Sequence, residues 1–289
     1  MIVALSVLWG GSFFFNGVSV TALPTLTIVL LRVSLACVAL WAFVIITGRK
    51  IPRGTDVWLA FLAMGLMNNV IPFFLIVWGQ THIASSLASI LNATTPLFGV
   101  IVAGMLLSDE RMTAMKLSGV VIGFMGVIVM VGPAALSGLG ADLWAQMAVL
   151  CASISYAFAS VYGRLARIRH VDPILIATGQ LTASSIFLAP LVLYIDKPFT
   201  LPFPGIEICL AIFALAVFST AIAYVLFFRI LASAGATNVM LVAFLIPVTS
   251  ILLGYFVLGE SLEIIHLLGM ALIGFGLTAV DGRIWKKGL

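Results

Sequence analysis

Ser85–Glu110 reads SSLASILNATTPLFGVIVAGMLLSDE, and Ala236–Glu260 reads ATNVMLVAFLIPVTSILLGYFVLGE. Asn92, Pro96, Gly99 and Ala103 in the first stretch fall at the same steps as Ala243, Pro247, Ser250 and Gly254 in the second. Steps of four, three and four draw one stripe along a helix. Each stripe holds a proline inside a long apolar run, and each run ends on an acidic residue, Glu110 or Glu260. Such a proline frees the carbonyl four residues earlier at a cost of about 3 kcal/mol. In hydrocarbon that carbonyl must find a partner or line a wet cavity. The same weakness in both halves of a chain is the sequence mark of a transporter binding site.

The surroundings of these stretches set the class. Of the 289 residues 63% are hydrophobic and 8% are charged. A soluble domain would carry roughly a quarter charged residues, so the composition identifies an all-α integral membrane protein whose first partner is the lipid bilayer. The net charge of +4 would suggest nucleic acid in a soluble protein. Here it reflects where basic residues sit relative to the bilayer, and no nucleic-acid partner is expected. Cys37, Cys151 and Cys209 lie singly in apolar runs and read as packing residues. The opening apolar run has no basic leader or small-residue cleavage site and reads as a spanning helix, not a signal peptide.

A span needs about 20 apolar residues. Ten runs qualify, roughly 2–20, 25–47, 56–78, 83–107, 113–131, 143–163, 173–195, 205–228, 236–258 and 263–280. Breakers stand at the joints, among them Pro24, Gly48 with Pro52, Gly79, Gly132 with Pro133, Pro173 and Gly235. With both termini cytoplasmic, all 14 Lys and Arg except Lys197 and Arg32 fall on the cytoplasmic side, the asymmetry expected of a multi-pass membrane protein. The halves match at an offset of 150 to 151, which sets Asn68, Asn69 and Pro72 against Ser219, Thr220 and Ala223. It also sets Gly119, Gly126 and Gly132 against Gly269, Gly276 and Gly282. Five spans is an odd number, so the expectation is ten transmembrane helices as two inverted five-helix repeats, residues 1–132 and 143–282, with a site between them.

WGGSFF at Trp9–Phe14, the single Arg32 in the second span, TPLFGVIVAGMLLSDE and IPVTSILLGYFVLGE, each followed by a glycine-rich span, resemble the EamA family of the drug/metabolite transporter superfamily. The resemblance covers nearly the whole chain. It implies a ten-helix carrier of the bacterial inner membrane with two inverted repeats, its fifth and tenth helices outside the cavity. It also implies a small-metabolite cargo, such as amino acids, sugars or nucleotide derivatives, often moved outward.

The residues point to a polar, uncharged cavity. Ser85, Ser89 and Asn92 share a face that runs on to Pro96, with Thr94 and Thr95 beside it. That stripe is longer than one proline needs, and it places Asn92 and Thr95 on a cavity wall. Asn68 stands four residues before Pro72, beside Asn69. Trp9 and Asn16 in the first span, Trp78 in the third, Tyr156 in the sixth, Gln180 in the seventh and Tyr224 in the eighth complete the candidate substrate-binding set. Pro72, Pro96 and Pro247 are the candidate hinges. Arg32 is read as a structural anchor or as the partner of a substrate carboxylate, with the structural role ahead. Glu110 and Glu260 sit at span ends, where each can hold a helix start or a loop. Gly119 and Gly123 have a spacing suited equally to a homodimer contact and to packing within the chain.

No Asp or Glu lies in the middle of a run, and no HExxH, GxSxG, Walker A or Cys/His cluster occurs. The sequence therefore gives no basis for an enzyme, a metal site, a cofactor or an ATP-driven pump. The multidrug relatives of the superfamily rely on a glutamate in their first helix, and the first run here has none. The expected function is a secondary transporter, exporter or facilitator, of small neutral or zwitterionic metabolites, amino acids foremost, working by alternating access. A carrier of sugars or other small metabolites is the alternative within transport. A membrane scaffold without cargo is the alternative from another class.

Overall fold

The computed structural model describes residues 1–110, 112–136 and 141–281. Arg111, Gly282, Arg283, Lys286 and Lys287, used above for orientation and for the repeat, lie outside the described residues. Among those described the fold is wholly helical. The first half contains α1 (Ile2–Ser19), α2 (Thr25–Ile46), α3 (Thr55–Gly65), α4 (Ile71–Gly79), α5 (Ser85–Asn92), α6 (Thr95–Leu106) and α7 (Ala114–Leu136). The second contains α8 (Ala141–Leu165), α9 (Pro173–Ile195), α10 (Ile206–Ala216), α11 (Ala223–Leu253) and α12 (Ile264–Asp281).

Seven helical segments are long and apolar enough to cross a bilayer: Ile2–Ser19, Thr25–Ile46, Thr55–Gly79, Ser85–Leu106, Asp142–Leu165, Pro173–Ile195 and Ile206–Ile230. Three shorter apolar helices, Ala114–Val129, Leu245–Leu258 and Ile264–Val280, fall in the other expected runs. Large apolar side chains such as Ile46, Ile186 and Phe275 stand exposed around the bundle. Water would not tolerate that surface, and lipid suits it.

Several helix starts are set locally. Pro173 begins α9 with its missing N–H where none is needed, and the Asp172 carboxylate accepts from Ile174 N–H at 2.9 Å. Others are capped from a distance. Glu260 accepts from the Ser85 and Ser86 N–H groups at 2.7 and 3.0 Å, and from the Ser86 hydroxyl at 2.6 Å. Asp196 accepts from Thr27 N–H at 2.8 Å and from its hydroxyl at 2.7 Å. A carboxylate at a helix N-terminus meets orphan donors and the positive end of the dipole together. Gly254 is what lets Glu260 approach, since a side chain there would collide with its carboxylate.

Three stretches of the described residues are wound as π-turns; Gly254–Leu258 carries α11 up to Gly259, and the other two position the centre. The third run is interrupted at Leu66–Val70 by a π-turn, which joins α3 to α4. The eighth is interrupted at Val217–Ile222 by another, which joins α10 to α11. The fourth run is broken outright between Asn92 and Thr95. Gly235, expected at a joint, lies within the helical α11. α11 is nevertheless not straight between Phe227 and Ile246. Phe227 packs on Trp9, and Ile246 lies against Gly10, whereas a straight helix would hold them about 28 Å apart. Gly132 likewise continues as helix, to Leu136.

The helices pair across the halves. α2 packs on α9, α1 on α10 and α11, and α8 on α4 and α6. α3 meets α9, and α10 meets α2. α7 and α12 pack on each other. A Cβ on Gly119 would sit 2.6 Å from the Gly276 carbonyl oxygen, and one on Gly126 2.6 Å from that of Gly269. The Gly119 face is thus occupied inside the chain, and a Cβ on Gly123 would strike Leu97.

Candidate functional site

The two π-turns carry the centre. A π-turn leaves backbone carbonyls without their helical partners, and neighbouring side chains take them. The Ser184 hydroxyl of α9 donates to Gly65 O at 3.1 Å, and the Ser155 hydroxyl of α8 donates to Met67 O at 2.7 Å. At the other turn the Thr220 hydroxyl donates to Leu215 O at 2.9 Å. Each turn thereby directs its polar side chains into the bundle.

A network forms where they meet. Asn68 Nδ2 donates to Gln180 Oε1 at 3.2 Å and to the Tyr224 hydroxyl at 3.4 Å. Tyr224 donates in turn to Asn69 Oδ1 at 2.7 Å, and Asn69 Nδ2 donates to Ser184 Oγ at 3.2 Å. Asn69, Gln180, Ser184 and Thr220 are each at most 1% exposed. Mutual hydrogen bonding removes most of the cost of burying such groups. Among the described residues the Gln180 amide nitrogen and the Asn68 amide oxygen bond to nothing further, which leaves a donor and an acceptor for a ligand. Arg32 stands beside the network, its Nε donating to Thr220 Oγ1 at 3.0 Å and its guanidinium 3.6 Å from the centre of the Phe73 ring.

Four of the expected residues, Asn68, Asn69, Gln180 and Tyr224, are therefore brought together. Tyr156 packs between the two largest apolar clusters, close enough to Arg32 to feel its charge. Trp9 is half-buried against Phe227, ring centres 5.6 Å apart. Asn92 ends α5 at the helix break. Its carbonyl, freed by Pro96, is taken by the Thr95 hydroxyl at 2.7 Å, the local satisfaction that membrane prolines commonly find. Its side-chain Oδ1 is buried without a partner. Pro96 opens the segment after that break, Pro72 follows the first π-turn, and Pro247 lies within α11.

Two residues stand elsewhere. Asn16 donates to Gln80 Oε1 at 3.1 Å, and Gln80 Nε2 donates to Phe13 O and to Ser85 Oγ, each at 2.8 Å. With Glu260 on Ser85 and Ser86, this closes a separate polar cluster at one end of the bundle. Trp78 lies against the exposed His82, ring centres 5.1 Å apart and planes tilted by 51°, near the same end. Reasoning from sequence passed over Gln80, because a polar residue beside a span-ending glycine is ordinary. Thr220 was visible only as the counterpart of Asn69 in the internal match.

A helical bundle with an apolar exterior and a buried polar centre on irregular backbone defines a multi-pass membrane transporter. The profile of the EamA-like transporter family matches residues 1–132 and 143–280, and the chain belongs to that family. It is 29% identical over 280 residues to the uncharacterized inner membrane transporter YedA of Escherichia coli K12, covering 96% of this chain and 88% of that one. An uncharacterized transporter of Archaeoglobus fulgidus is 28% identical over 283 residues, covering 97% of each chain. A solved structure, described as the crystal structure of a protein, superposes with a TM-score of 0.71 at 19% identity over 99% of this chain and 96% of that chain. That likeness concerns the fold.

Proposed function

We propose that the protein is a secondary carrier or facilitator of small neutral or zwitterionic metabolites, amino acids foremost. It works by alternating access around a centre between two inverted five-helix repeats, residues 1–132 and 143–282. The observation that carries this reading is the Asn68–Tyr224–Asn69 network with Gln180, buried in an apolar bundle and retaining an unused donor and acceptor. The repeat is supported by the two matches to one family profile, and by π-turns at places the internal offset makes equivalent. Pairings such as Gly119 with Gly276 and Gly126 with Gly269, which exchange under that offset, support it too. Ten helices follow, in a bacterial plasma membrane with both termini cytoplasmic.

In this reading Glu260 on the start of α5 and Asp196 on the start of α2 close the outer end. Arg49 with Asp172, and Arg164 with Asp109 and Glu110, tie the inner one. Segments around Pro72, Pro96 and Pro247 rock as one end opens. The Asn92 oxygen, buried and unpartnered, lines the path. Two copies in contact remain part of the proposal only through surfaces other than the Gly119 face.

The test uses purified protein in liposomes loaded with unlabelled amino acids. Saturable uptake of a labelled amino acid, accelerated by the internal pool and lost in Asn92→Leu, is expected. Uptake of sugars in preference to every amino acid would transfer the assignment to the sugar-carrier alternative, since neutral amides and a phenol also suit hydroxyl groups. A protein with no flux for any metabolite class would fit a scaffold.

A further inference from the structure

We infer that Arg32 is a carboxylate-recognition residue, which binds the acid group of the cargo; this rests on the carrier reading above. Arg32 is 5% exposed, two turns inside the second span. Among the described residues no carboxylate pairs with it, and Nε alone has a protein acceptor, the neutral Thr220 hydroxyl. Among the described residues no backbone carbonyl accepts from either Nη. One face is covered by the Phe73 ring, which leaves the planar edge, the side that grips a carboxylate through two parallel hydrogen bonds.

A structural anchor would be the simpler role, and the other half of the chain argues against it. The π-turn at Val217–Ile222 is braced by Arg32 on Thr220. The π-turn at Leu66–Val70 is braced at its counterpart Asn69 by Ser184, a neutral hydroxyl. Bracing such a turn therefore takes a hydrogen bond and no charge. A buried charge inside a span that the scaffold does not need, and that no carboxylate among the described residues neutralises, points to an anionic ligand group. The adjoining spare amide groups of Gln180 and Asn68 would meet the rest of a small molecule.

The experiment measures ligand-induced thermal stabilisation of the purified wild type and of Arg32→Gln, which can still donate to Thr220. The probes are L-leucine and L-phenylalanine, their primary amides, their N-acetyl derivatives and propionate. Losing a charge-assisted pair should weaken binding roughly 10- to 100-fold. The wild type should bind the acid and its N-acetyl form more tightly than the amide by that factor, and Arg32→Gln should bind acid and amide alike. Equal binding of acid and amide by the wild type would overturn the inference without recourse to any variant. So would an unchanged acid preference in Arg32→Gln. Arg32→Lys, a point charge without the fork, should keep the preference at reduced affinity. If carboxylates bind through Arg32 while liposomes show no counterflow, the carrier reading fails and the anion site stands.

Discussion

Glu110 accepts from Lys116 Nζ at 3.0 Å and from Arg164 Nη1 at 3.2 Å. The Lys116 hydrogen bond, above all, holds its carboxyl below the ordinary carboxylate range. A depressed folded pKa means stability that is present above the unfolded value and lost as pH falls through the folded one. Melting temperature should therefore decline on acidification across and below the usual carboxylate range, and Glu110→Gln should flatten that portion of the curve. The pair is partly exposed, so the effect is small, and an unaltered slope in the variant would show that the pair contributes nothing. Tyr224→Phe tests the centre, because it strips the donor from the buried Asn69 Oδ1. An acceptor left unpaired costs about 1–3 kcal/mol. Counterflow and thermal stability should both fall, whereas Trp78→Phe, outside the network, should change neither. Asn68, Asn69, Gln180 and Tyr224 were legible because polar side chains stand out in apolar runs. Asn16 stood out equally, yet its partner is Gln80, and nothing local distinguishes a tie at the end of a bundle from a contact at its centre.

Among elements, α7 and α12 meet glycine to backbone. Gly119→Leu would drive its side chain onto the Gly276 carbonyl, which cannot swing aside. A loss of about 1–3 kcal/mol is expected, as for an overpacked core, read as an earlier melt in detergent. Gly99→Ala is the contrast, since no atom lies within 4 Å of its added carbon. It should be neutral or gain up to about 1 kcal/mol from helix propensity. An equal loss in both variants would mean that the close approach of α7 and α12 is irrelevant to stability. The apolar runs and their breakers were visible from composition alone. The π-turns were not. Val217–Ile222 contains no proline and reads as ordinary apolar helix. What stabilises the turns is hydrogen bonding from Ser155, Ser184 and Arg32, residues distant in sequence.

Across the whole molecule, Glu260 and Asp196 are carboxylates that each join two distant segments at one end of the bundle. Glu260→Gln keeps the shape, removes the charge and weakens each bond to Ser85 and Ser86. In a cysteine-free background, Ser89→Cys should react several-fold faster with a membrane-impermeant thiol reagent once Glu260→Gln is added, because the closed population shrinks. Identical labelling rates would remove Glu260 from any gating role. The match of Asn68 and Asn69 to Ser219 and Thr220 was readable from the offset of 150 to 151 residues. Which helices touch was not, since that depends on the angles at which they cross.

The π-turns also bear on heredity. Each holds one residue more than the α-turn it replaces. A single-codon deletion inside Leu66–Val70 would remove that residue and leave a regular helix, with Ile71–Gly79 still in phase. The carbonyls of Gly65 and Met67 would return to helical partners, and Ser184 and Ser155 would lose the bonds they make there. A deletion in the regular turns of α3 or α4 would instead rotate all that follows in the run by about 100°. The turns are thus the places where these runs tolerate a change of length, at the expense of the polar side chains they carry.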